Sequence, residues 1–122
     1  MLAASAILAG LGVALGALAA HALKSRLEPS ALVTFETGVR YHTLHAVAAV
    51  LMAVLAHAAP AHAQAARRSG WLFLLGIVLF SGSLYGLAFT GLHFFGPITP
   101  FGGVAFIAGW LLLGIAVLRR PR

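Results

Sequence analysis

The chain has no cysteine and no aspartate, and its only acids are Glu28 and Glu36. Without cysteine there is no disulfide, no thiolate metal site and no cysteine nucleophile. Without aspartate, and with no Gly-x-Ser-x-Gly or phosphate-loop pattern, hydrolase chemistry finds little support. Charge of either sign is scarce, at 8% of 122 residues, where a soluble domain carries about 25%. Nothing is left over for a soluble domain, so residues 1–122 read as a single transmembrane domain.

What is present is apolar. Hydrophobic residues make up 61% of the chain. Charged residues are missing from Met1–Leu23, from Tyr41–Ala66 and from the fifty residues Ser69–Leu118. A helix rises about 1.5 Å per residue and a bilayer core is about 30 Å thick, so roughly 20 apolar residues cross it. The last run is too long for one crossing and suits two. Gly96-Pro97-Ile98-Thr99-Pro100 marks the turn, because Pro97 and Pro100 cannot continue a helical ladder. The expectation is an all-α integral membrane protein, a compact bundle of four helices near 2–23, 41–62, 70–92 and 101–118. A cleaved signal peptide competes for the first run, but it lacks a basic n-region and exceeds the usual apolar length.

The connection Lys24–Arg40 predicts a short amphipathic helix over 29–39, lying in the interface and running almost directly into the second crossing. Pro29 suits a first helical position. Ala31, Leu32, Phe35 and Val39 follow at helical spacing, and Glu36 and Arg40 have the favourable order for a local ion pair.

The net charge of +6 would suggest nucleic acid in a soluble protein. Here the cations sit at the ends of apolar runs and anchor helices against headgroups, so the expected partner is membrane lipid and not nucleic acid. Arg67, Arg68, Arg119, Arg120 and Arg122 fall on the side of the termini, against Lys24, Arg26 and Arg40 on the other. This bias predicts cytoplasmic termini.

Burial of apolar side chains does not drive association in lipid; close approach at small residues does. Gly12 and Gly16, Ala49 and Ala53, Gly82 and Gly86, and Gly109 give every crossing such a face. Packing within one bundle is the favoured use, and a homo-oligomer interface is the other.

The polar residues gather on the loop-one side: His21, Glu36, Arg40, Tyr41, His42 and His45, with Tyr85 approaching from the third helix and His93 and Thr99 in the last turn. His45 sits about one turn inside the apolar boundary. Three functions are open to this cluster: relaying protons, holding a ligand such as a lipid headgroup, or binding a divalent metal. Ordinary interfacial packing competes with all three, and the spacing alone is not a zinc signature. His57 and His62 read as interfacial residues; Trp71, Phe73 and Trp110 read as lipid-facing or packing aromatics.

The segments His21–Lys24, Phe35–Ala46, Leu79–Tyr85, Gly96–Gly103 and Gly109–Trp110 together resemble the YgdD-like family of small membrane proteins of unknown function. The resemblance implies a four-helix protein of the bacterial inner membrane, and supplies no activity, cofactor or ligand. The expected function is non-enzymatic, through contact with lipid or protein. A small transporter or channel is the first alternative; the absence of an acid in the first helix counts against proton-coupled cation export. A membrane enzyme or metal-binding protein is the second.

Overall fold

The computed structural model describes residues 1–119; Arg120 and Arg122, two of the cations counted on the side of the termini, lie outside the described residues. The described chain is helical from end to end. Helix α1 spans Leu2–His21, α2 Pro29–Ala58, α3 Ala63–Gly76, α4 Gly82–Thr90 and α5 Thr99–Leu118. A π turn, Ile77–Ser81, joins α3 to α4 without a break, so these three pieces form one crossing. The four candidate spans are Leu2–Ser25, Pro29–Ala58, Pro60–Thr90 and His93–Leu118.

Crossings two and three form the centre. Helix α1 packs on α2; α2 packs on α3 and α4; α5 packs on α3 and the π turn. Ala46, Ala49, Met52, Phe73, Ile77 and Phe106 fill one buried cluster, and Ala19, Leu23, Phe35 and Ala88 a second. The large aliphatic side chains Ile7, Leu51, Val78 and Val104 face outward. Such a surface suits lipid, against which apolar exposure costs nothing.

The segment 29–39 is helical, but it is the opening of α2 and not a separate helix. Pro29 starts the helix at a position where its missing N–H is harmless, and no other proline follows until Pro60. Glu36 and Arg40, which marked a boundary in the sequence, are both exposed and make no ion pair. The helix carries them on its outer face and continues. The second crossing ends at Ala58 and not near residue 62, since Pro60 opens a short 3₁₀ turn. The third begins at Ala63 and not at 70, because Ala63-Gln64-Ala65-Ala66 are good helix formers. Arg67 and Arg68 are exposed on this extension.

The turn between the last two crossings differs in mechanism from expectation. Gly91, at φ +66°, ends α4 in the left-handed conformation, and its N–H bonds back to Leu87. His93–Ile98 then form a 3₁₀ turn that holds Pro97 inside it, and Pro100 lies in the first turn of α5. The stop is thus Gly91, and Pro100 marks the restart. Gly96 has open space around it.

Several small residues allow close packing. A Cβ at Gly12 would fall 2.7 Å from Thr43 Oγ1, and one at Gly109 2.6 Å from the Phe73 ring. Gly16 meets Val39 at an ordinary 3.5 Å, and Ala49 and Ala53 are buried. Gly86 faces the Phe95 ring of the following turn and not another crossing. Gly82 is exposed, with no heavy atom nearer than 4.0 Å, so its expected packing role fails. The extra residue of the π turn rotates the helix face there.

Candidate functional site

The seven residues expected to form one polar cluster do not come together. His21, Glu36 and Arg40 are exposed. The others separate into two networks on different sides of α2.

His45 lies about 24 Å along α2 from Pro29 and about 20 Å from Ala58, near the middle of a helix longer than a bilayer core. The exposed Glu36 and Arg40 keep its first turns outside the apolar core, so His45 stays about one to two turns inside the boundary. Both His42 and His45 are 2% exposed. A polar group at that depth needs partners within the protein.

His42 points toward α1 and α4. Its Nε2 lies 2.8 Å from the Leu8 carbonyl and its Nδ1 2.9 Å from the Tyr85 hydroxyl. A carbonyl only accepts, so Nε2 carries the proton and Nδ1 accepts from Tyr85 in the neutral ring. Gly38 leaves the room Tyr85 needs: a Cβ there would fall 2.7 Å from the Tyr85 ring. Phe35 packs against the same ring at a centroid distance of 4.9 Å.

His45 points the other way, toward α3 and α5. Its Nδ1 lies 2.8 Å from the Tyr41 carbonyl, and its Nε2 accepts the Trp110 indole N–H at 3.1 Å. Here Nδ1 carries the proton, so the two histidines hold opposite tautomers. The Phe106 ring stacks on His45 with centroids 3.6 Å apart, and Phe73 closes another side. Tyr41, Leu44, His45, Phe80, Phe106 and Trp110 line a groove of about 400 Å³ on the outer surface.

Ser and Thr side chains complete the internal bonding. Ser81 Oγ donates to the Gly38 carbonyl at 2.7 Å, tying the third crossing to α2, and Ser69 Oγ donates to the Gly109 carbonyl at 2.8 Å, tying α3 to α5. Ser83 Oγ lies 2.8 Å from the Phe80 carbonyl inside the π turn and 2.7 Å from Thr99 Oγ1. A π turn disturbs the regular ladder, and a nearby hydroxyl supplies the missing donor. Among the described residues no buried side-chain nitrogen or oxygen lacks a partner.

This arrangement restricts the chemistry. A ring nitrogen already engaged cannot bind a metal or pass a proton until that bond breaks. Among the described residues no three of His, Cys, Asp and Glu come close enough to hold a metal ion. Trp110 and the serines are the parts that the sequence alone did not place.

The family described as "Protein of unknown function (DUF423)" matches residues 15–103. The UPF0382 membrane protein YwdK of Bacillus subtilis is 43% identical over 114 residues, covering 93% of this chain and 92% of the relative. A UPF0382 membrane protein of Haemophilus influenzae is 45% identical, covering 83% and 79%. The UPF0382 inner membrane protein YgdD of Escherichia coli is 38% identical, covering 100% and 92%. No solved structure matches.

Proposed function

Because this chain belongs to the DUF423 family of multi-pass membrane proteins of unknown function, we propose a non-enzymatic role, exerted through its outer surface on lipid or protein. The closed interior carries this reading: both buried histidines of α2 have both ring nitrogens bonded, and every buried side-chain donor and acceptor among the described residues has a partner. The polar groups hold helices in place and do not line a path. The relative named an inner membrane protein supports placement in the bacterial inner membrane. In the full sequence Arg67, Arg68, Arg119, Arg120 and Arg122 stand against Lys24, Arg26 and Arg40, and this excess supports cytoplasmic termini.

The Cys-free chain makes both points testable in one assay. Cysteines placed singly at Ala46 and Ala49, both 0% exposed, stay unlabelled by a charged, membrane-impermeant thiol reagent in intact bacterial cells and after lysis. Labelling at either position refutes the closed interior. A cysteine at Ser25 reacts in intact cells, and one at Gln64 reacts only after lysis. The reverse pattern refutes cytoplasmic termini.

A further inference from the structure

Three elements meet at the end of the bundle opposite loop one. The start of α1, the last turns of α2 and the first turns of α3 enclose a cavity of about 520 Å³, with Leu2, Ala53, Ala56, His57, Arg67 and Trp71 in its lining. Its depth follows from the packing: Gly70 sits against Met1 and Met52, and Arg67 lies about 4.5 Å farther out along α3. The cavity therefore opens at the end of the apolar span, at headgroup level.

The rim offers donors. The Arg67 guanidinium presents five N–H groups and the Trp71 indole one. His57 donates Nδ1–H to the Ala53 carbonyl at 2.8 Å, which fixes the ring and leaves Nε2 an acceptor in the neutral ring. No acid balances these groups: Glu28 and Glu36, the only two in the chain, belong to the loop-one end. Beneath the rim the walls are apolar. A second cavity of about 440 Å³ lies beside the first, sharing Leu2, Ala53 and His57 and adding Val54 and Ala58.

A cationic rim above a greasy channel fits a molecule with an anionic oxygen group on an apolar stem. We propose that this cavity binds one anionic phospholipid, its phosphate at Arg67 and its acyl chain along Leu2 and Val54. The proposal rests on the reading of outward action on lipid and names the lipid class and its place. It differs from general attraction of cations to the membrane surface, because Arg68, the next residue, is exposed at the same level and takes no part in the cavity lining.

That difference gives the test. The full-length chain is equilibrated in mild detergent with equal amounts of phosphatidylglycerol and phosphatidylcholine, and retained lipid is counted by native mass spectrometry. The unaltered chain retains one phosphatidylglycerol. Arg67→Gln lowers the phosphatidylglycerol-to-phosphatidylcholine ratio about fivefold, the usual weight of one interfacial cation, and Arg68→Gln leaves it unchanged. Ala56→Phe, which fills the cavity without touching the charges, also removes the retained lipid. Equal loss in Arg67→Gln and Arg68→Gln, no preference in the unaltered chain, or displacement of the lipid by millimolar inorganic phosphate overturns the proposal. Such a failure leaves the closed interior standing, since thiol labelling alone decides that.

Discussion

A single methyl group added at Gly102 should open the interface between the last two crossings. In Gly102→Ala the new Cβ would clash with the Phe80 backbone nitrogen and lie 2.6 Å from Phe80 Cβ and 2.7 Å from its Cα. Carbon atoms in good contact are about 3.5–4.0 Å apart. Relief therefore needs a shift of roughly 1 Å, and because the obstacle is backbone, no rotamer change supplies it. Overpacking of this kind costs about 1–3 kcal/mol. The same movement stretches the Ser83–Thr99 bond, now 2.7 Å, toward the limit for a hydrogen bond, which adds about 0.6–1.7 kcal/mol. The expected total is about 2–5 kcal/mol. Gly10→Ala and Gly114→Ala are the controls, since a Cβ at either meets nothing within 4 Å; both should stay within about 0.5 kcal/mol of the parent chain. The assay is reversible unfolding of the full chain in mild detergent, followed by tryptophan fluorescence and circular dichroism. A Gly102→Ala variant as stable as Gly114→Ala would refute the close approach.

Trp110→Phe keeps an aromatic ring but removes the N–H that His45 accepts, and should lower stability by about 1 kcal/mol in the same unfolding assay; no change would mean that the indole does not satisfy His45. Ser81→Ala removes the donor to the Gly38 carbonyl and should cost about 1 kcal/mol, whereas an unaffected variant would break the proposed tie between crossings two and three. Gly82→Ala, on an exposed face with no neighbour, should be neutral, and a loss comparable to that of Gly102→Ala would restore Gly82 to an interface.

The four crossings were legible because charge-free length alone carries the signal. Their edges were less so, since an exposed charge on a continuing helix looks the same in sequence as a charge at its end. Glu36 and Arg40 made the second helix appear to begin near Tyr41, and Arg67 and Arg68 delayed the third to residue 70. The partners of the histidines were not legible at all. Helical spacing puts His42 and His45 three residues apart on neighbouring positions of α2, yet only the placement of other helices sends one ring to Leu8 and Tyr85 and the other to Trp110. The π turn at Ile77–Ser81 leaves no periodic trace, so the residue pattern puts Gly82 on a packing face, whereas Ser81 and Ser83 face inward and Gly82 outward.

The opposite tautomers of His42 and His45 follow from the task these residues perform. Lipid offers apolar helices little reason to prefer one neighbour or register over another, so specificity must come from close packing and directional bonds. Helix α2 touches every other crossing. Toward α1 it offers an N–H to a backbone carbonyl, which any sequence supplies, and toward α4 it offers a bare nitrogen that only a donor such as Tyr85 can fill. Toward α5 the arrangement reverses: His45 spends its N–H on its own helix and leaves the bare nitrogen for Trp110. Each bare nitrogen is a demand that one particular side chain meets, and shifting either neighbour by one turn, about 5.4 Å, would leave it unmet in hydrocarbon. The two rings thus fix the register of α4 and α5 against α2.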